Sequence, residues 1–221
     1  MGALDIIAAY PRAFFNGLIV TIQLALTVWS TGLLFGFLLG ALAAGRPGSY
    51  GRIVSLFSFL LSGLPLLVLL FWLHFPLQSM LNVVIDPFIT AAFALSIVNV
   101  FAIADIVKGA LSDFPTQYVV AARVAGLTPR ETLLHIKTPI LFRQLIPVLL
   151  MLQVTMLQAT LFASLISVEE IFRVAQRINA QVYKPVEIYT ALGIFFLLVC
   201  LPINGIALWL KVRFTRNFSE S

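Results

Sequence analysis

Apolar runs longer than a soluble core can use set the limits on this chain. They cover roughly residues 14–44, 53–75, 87–110, 140–166 and 188–211, and each reaches the ~20 residues that a helix needs to cross hydrocarbon. With 61% hydrophobic and 10% charged residues among 221, too little polar surface remains to cover a water-soluble globule. Backbone polar groups in lipid must be satisfied within the segment, which favours helices for runs of this length. The sequence therefore predicts an all-α membrane protein with five transmembrane helices, forming a single membrane domain over 1–221.

An odd number of crossings puts the two ends on opposite sides. Ten basic residues fall on one side (Arg46, Arg52, Lys108, Arg123, Arg130, Lys137, Arg143, Lys211, Arg213 and Arg216), and four on the other (Arg12, Arg173, Arg177 and Lys184). Because cytoplasmic loops carry the excess of Lys and Arg, the N-terminus is expected outside and the C-terminus in the cytoplasm. The net charge of +5 then reflects orientation, and nucleic acid is not an expected partner. Arg12 follows Ile6 to Ala9 instead of preceding them, so a cleaved signal peptide is not expected and the first span serves as the targeting signal. Cys200, the one cysteine, has no partner for a disulfide or a thiolate metal site and reads as a buried, inert thiol. Linkers such as Arg46-Pro-Gly-Ser-Tyr-Gly51 are short, which leaves no room for a soluble domain.

Gly32, Gly36 and Gly40 stand four apart on one face of the first span. Such a stripe admits another helix to backbone contact, within the subunit or between subunits.

The loop at 115–139 is the most punctuated part of the chain. Pro115 suits a first helical turn, and Gln117 to Ala125 runs on without a breaker to Gly126, a natural C-terminal cap. Thr128 then offers an N-cap, Pro129 the next position, and Glu131 completes a capping box ahead of Leu133, Leu134 and Ile136. Pro139 either closes that second helix or opens the next span. Two short helices joined by a glycine turn make a compact knob that a partner's groove could accept.

Ala121, Ala122, Gly126, Ile136 and Pro139 together resemble the EAA loop of ATP-binding-cassette (ABC) importer permeases. Val120 stands where that family usually has Glu, so the resemblance leaves the strength of ATPase docking open. Gly17-Leu-Ile-Val-Thr-Ile-Gln-Leu-Ala25, Ser62-Gly-Leu-Pro-Leu-Leu67, Ala104-Asp-Ile-Val-Lys-Gly109, Leu157-Gln-Ala-Thr160 and Ala175-Gln-Arg-Ile-Asn179 are similar to segments of its polar amino acid (histidine/arginine/glutamine-type) subgroup. The resemblance implies a type I ABC importer permease fold in a bacterial inner membrane. It implies a coupling role for Val120, Ala121, Ala122, Gly126, Thr128, Pro129, Glu131, Ile136 and Pro139. It also implies three kinds of partner: a cytoplasmic ABC ATPase dimer that carries ATP and Mg, a second permease, and a periplasmic or extracellular solute-binding protein.

The chain itself offers no cofactor site. It contains no Gly-x-x-x-x-Gly-Lys-Ser/Thr loop to cradle phosphates, so any ATP-driven cycle needs a separate ATPase. His74 and His135 lie on different loops, and neither His-Glu-x-x-His nor Gly-x-Ser-x-Gly occurs, which leaves no catalytic or metal residues to name. The rival reading is a secondary transporter or channel that works without an ATPase; Asp105 is the only charge it finds well within a span.

Gln153, Thr160 and Ser164 fall on one face of the fourth span, with Thr155 and Gln158 on another. Polar groups in hydrocarbon need partners, so these residues, with Ser62 and Asn99, either line a hydrated path or bond between helices. Ser62, Gln158 and Ala159 stand where the resembled family often carries Arg, Lys and Asp. The expected cavity therefore has few charges, which points either to a heterodimer whose second permease supplies them or to a solute carried hydrated. Asp105 and Lys108 are expected to pair on one helical face. Pro65 and Pro147 are candidate bends. Ser167-Val-Glu-Glu170 reads as a second capping box, opening an external amphipathic helix over 168–180 that either meets the binding protein or lids the bundle.

Overall fold

A computed structural model describes residues 2–46 and 48–219, without the side chains of 3, 4 and 215–219. Pro47 of the predicted linker and the side chain of Arg216 thus lie outside the described residues. The chain is helical throughout: α1 (Ala3–Ala9), α2 (Pro11–Gly45), α3 (Ser49–Gly63), α4 (Leu66–His74), α5 (Pro76–Leu81) and α6 (Pro87–Ser112) come first. They are followed by α7 (Thr116–Val124), α8 (Pro129–Glu131), a π segment (Thr132–Lys137), α9 (Thr138–Ala159), a 3₁₀ turn (Thr160–Ile166), α10 (Ile171–Val182) and α11 (Pro185–Ser219). No strand occurs among the described residues.

Pro11–Gly45, Pro87–Ser112, Pro129–Ile166 and Pro185–Phe214 are each long and apolar enough to cross a membrane. A further candidate is broken, since Ser49–Gly63 and Leu66–Leu81 meet at 95°. The corner is at Pro65, where Leu64 and Pro65 take extended ψ values of 124° and 125°. Proline lacks the N–H that would continue the ladder and pushes its predecessor out of the helical region. Pro147, the other candidate bend, lies inside α9 without interrupting it.

The centre of the bundle is the crossing of α2 and α6. A Cβ on Gly36 would stand 2.7 Å from the Ile103 Cβ and 2.8 Å from the Val100 carbonyl, and one on Gly40 2.6 Å from the Ala104 carbonyl. A Cβ on Gly32 would collide with the Asn99 side chain. The glycine stripe therefore serves packing within the subunit. Around it Leu24, Val28, Leu70, Leu95, Met156 and Ile166 form one buried cluster, and Ile103, Val107, Phe114, Leu141 and Leu145 form another toward the α7 end. The outer helix α11 buries little of its apolar surface, so much of it is left for lipid or another subunit.

Two local expectations are corrected. Ser167 is not an N-cap: it ends the 3₁₀ turn in the left-handed region at φ 72°, and Glu170 caps α10 instead, accepting from Phe172 N (2.9 Å) and Arg173 N (2.7 Å). Lys108 does not pair with Asp105; it reaches to α3, donating to the Gly51 carbonyl (2.9 Å) and to Ser55. The flexible four-carbon stem of lysine is long enough to carry the ammonium across to two oxygens on the neighbouring helix. Pro139 lies in the first turn of α9, opening the fourth span as one of its two expected roles had it. The π segment runs into α9 at Thr138, whose N–H and hydroxyl both bond the Leu133 carbonyl.

Candidate functional site

The knob between α6 and α9 is built by backbone satisfaction at both sides of one glycine. Gly126 sits at φ +79°, where a side chain would be strained. Its N–H bonds the Arg123 carbonyl at 3.0 Å and the Leu127 N–H bonds the Ala122 carbonyl at 3.0 Å, the paired bonds of a Schellman cap that close α7. Two residues later Thr128 N donates to Glu131 Oε2 (2.8 Å), and Glu131 N returns to Thr128 Oγ1 (3.3 Å). Pro129 fills the first helical position, where no N–H is missed. Pro115 is one residue outside the helix, at its N-cap.

The inner side of the knob is anchored. Ala122, Thr132 and Phe114 are buried, and the Lys137 ammonium lies 5.6 Å from the centre of the Phe114 ring, a cation–π contact that ties the two halves together. The outer side is open: Val120 is 58% exposed, Val124 85% and Leu134 53%. Ala121 and Pro139 complete the stretch, Pro139 and Ile136 half-buried and Ala121 exposed. Apolar side chains exposed on a rigid, doubly capped loop form a surface suited to a partner.

The polar residues of the spans divide into two sets. Asn99, Gln153, Thr160 and Ser164 are buried inside the subunit. Asn99 and Gln153 bond each other, Asn99 also donates to the Val28 carbonyl (2.9 Å), and Trp29 Nε1 donates to the Gln153 carbonyl (3.0 Å). Thr160 and Ser164 each return 2.7 Å bonds to carbonyls of their own turn. Ser62 and Gln158 are exposed and on different clefts. Gln158 lines one with Leu161, Phe172, Tyr189 and Phe196, and Ser62 another with Ser55, Ser58 and Asp105. The six residues thus do not converge on one site within a single subunit.

Outside the spans, α10 is fixed to α2 at its first turn. Thr21 accepts from Ile171 N at 3.0 Å, and a Cβ on Gly17 would meet Val174 at 2.9 Å. Glu170, at 0% exposure, is fully enclosed here; burial pushes its carboxyl up to about 7 against the lowering effect of its two backbone donors. Sequence reading missed this cap because Ser167 is the commoner N-cap type. It also missed α1, whose Ile6 is buried with Ile171, Ile178, Ile188 and Leu192. The run of apolar residues in Ala3–Ala9, broken only by Asp5, is the signal that could have revealed it. Among the described residues no three His, Cys, Asp or Glu side chains gather into a metal-binding group.

Compared with known proteins, residues 32–216 match the family described as binding-protein-dependent transport system inner membrane component. The histidine/lysine/arginine/ornithine transport system permease protein HisQ of Salmonella typhimurium is 26% identical over 220 residues, 93% of this chain and 95% of that protein. The glutamine transport system permease protein GlnP of Escherichia coli is 28% identical over 196 residues, covering 85% and 89%. The L-cystine transport system permease protein TcyB of Bacillus subtilis is 29% identical over 187 residues, covering 84% and 79%. Among solved structures, an amino acid ABC transporter crystallised with histidines superposes with a TM-score of 0.84 at 21% identity, over 96% of this chain and 99% of that one. The methionine ABC transporter MetNI in an inward-facing conformation gives 0.66 at 18% identity, over 95% and 97%; both are likenesses of fold. The chain belongs to the binding-protein-dependent transport system inner membrane component family. It is a multi-pass membrane permease component and not an enzyme.

Proposed function

We propose that this permease carries an amino acid or an amino-acid-like solute inward, driven by separate cytoplasmic ATPase subunits that hold ATP and Mg. The amino-acid assignment is supported by the histidine/lysine/arginine/ornithine, glutamine and L-cystine permeases it is similar to. The observation that carries the coupling is the knob from Pro115 to Pro139. Its exposed Val120, Val124 and Leu134 stand on a loop braced by Gly126, Thr128, Pro129 and Glu131. An apolar knob of this kind transmits a push from a partner's groove because its caps resist bending. Val120 in place of a carboxylate makes the contact one of shape more than of charge.

In this reading 1–221 is a single membrane domain. Its spans are near 14–44, 53–75, 87–110, 140–166 and 188–211, the coupling loop is 115–139 and the external helix about 168–180. The ten-to-four division of basic residues supports an outside N-terminus and a cytoplasmic C-terminus. Then α10 faces the side from which a solute-binding protein delivers. A second permease, in a heterodimer, completes the path. Ser62 and Gln158, open on the subunit's surface, are the residues proposed to meet the path directly; Asn99, Gln153, Thr160 and Ser164 hold the helices that form its wall.

Purification through a tag on this chain, from cells that make its native partners, tests the reading. An ATPase that co-purifies with the wild type, and is lost when Val120 and Val124 are both changed to Asp, is the expected result. A chain that purifies alone and transports alone would overturn it.

A further inference from the structure

Asp105 is the one acidic residue inside the spans with neither an ion pair nor a hydrogen bond among the described residues, and it is exposed. It lies seven residues before the end of α6 at Ser112, about 10 Å along the axis at 1.5 Å per residue. An aspartate facing lipid inside a span is costly. Such a position is tolerated against water, a partner subunit or a solute.

Its surroundings distinguish among these. Asp105 opens into a cleft of about 520 Å³ between α3 and α6, lined by Ser55, Ser58, Ser62, Phe59 and Phe101. The three serines recur at three and four residues, so one face of α3 presents a ladder of hydroxyls. Ser58 bonds the Phe101 carbonyl at 3.0 Å and fixes the two helices to each other. Lys108, the cation that could have neutralised Asp105, is turned away to Gly51 and Ser55. The cleft thus has a carboxylate without an ion pair at one end, hydroxyl walls and two aromatic rings, one of them 74% exposed. Its upper end is at Ser62, three residues before the corner at Pro65.

We propose that this cleft is a transit site for a cationic side chain, ammonium or guanidinium, of the transported solute, with Asp105 as its counter-charge. The inference rests on the amino-acid reading above and adds the charge class. A guanidinium or ammonium leaving water needs a carboxylate and further acceptors, and Asp105 with the hydroxyl oxygen of Ser62 supplies both. Phe59 supplies a ring face for the same cation.

The test uses the complete native complex in proteoliposomes with ATP on the ATPase side and the binding protein on the other. Initial uptake of arginine, lysine, glutamine and glutamate is measured for the wild type, Asp105→Asn and Asp105→Glu, with assembly checked by size-exclusion chromatography. Uptake of arginine or lysine by the wild type, a fall of tenfold or more in Asp105→Asn and recovery to within threefold in Asp105→Glu is the expected result. Cationic uptake unchanged within twofold in Asp105→Asn would overturn the inference, and so would a wild type that takes up only glutamine or glutamate, which leaves the amino-acid reading intact. Dissociation of the Asp105→Asn complex would overturn it in favour of a contact between subunits. A wild type that takes up none of the four would overturn the inference and leave the amino-acid reading to solutes outside this set.

Discussion

Asn99 and Gln153 hold each other by both ends of their amides: Asn99 Nδ2 donates to Gln153 Oε1 at 3.1 Å, and Gln153 Nε2 to Asn99 Oδ1 at 3.3 Å. The pair joins α6 to α9 where Asn99 also bonds the Val28 carbonyl of α2 and Gln153 receives Trp29 on its own carbonyl. Three helices therefore meet at one polar knot in an otherwise apolar core.

Removing either partner should leave a buried amide unsatisfied. Asn99→Leu or Gln153→Leu is expected to cost about 1–3 kcal/mol, and the double variant less than the sum of the singles, with a coupling of about 0.6 kcal/mol or more. Unfolding of the detergent-solubilised subunit, measured as a double-mutant cycle, checks this; strictly additive singles would remove the pair as a structural unit.

The glycine stripe makes a graded prediction. Gly36→Ala and Gly40→Ala place a Cβ within 2.6–2.9 Å of α6 atoms and should cost about 1–3 kcal/mol by overpacking. Gly109→Ala meets nothing within 4 Å and should stabilise its helix by up to about 1 kcal/mol. Thermal unfolding of the three variants reads the order directly.

Much of this was legible in the sequence, because long apolar runs and capping residues act locally. The Thr128 box, the Gly126 turn and the corner at Pro65 each depend on a few neighbouring residues. What escaped were choices made across helices. Lys108 has a carboxylate three residues away and takes oxygens on α3 instead, since α3 lies against α6. Ser167 has the chemistry of an N-cap, yet Glu170 takes the position because burial against α2 fixes where α10 begins. Asn99 and Gln153 stand out as polar residues in apolar runs, but only the packed bundle reveals that they serve each other.

Glu170 makes stability depend on pH in an unusual direction. Its carboxyl is raised from an ordinary 4.5 to about 7, chiefly by burial, so the folded state holds its proton over a range where the unfolded chain has lost it. Its contribution is full below about 4.5 and is lost as pH rises through about 7. Hydrogen exchange in α10 should therefore quicken between pH 5 and 8 after correction for intrinsic rates. Glu170→Gln should flatten that dependence, and an unchanged slope in the variant would remove Glu170 as its source.

Gly126 is where the coupling account is most exposed to failure. A β-branched residue at φ +79° should cost about 1–2 kcal/mol and tilt α7 against α8. The most direct measurement is ATP-driven solute uptake by the assembled complex carrying Gly126→Val, alongside its solute-stimulated ATP hydrolysis. The account predicts a complex that inserts and assembles, yet loses both uptake and the stimulation of hydrolysis by at least tenfold. Full uptake with full stimulation would contradict it, because the knob would then not be the element through which the ATPases drive this permease.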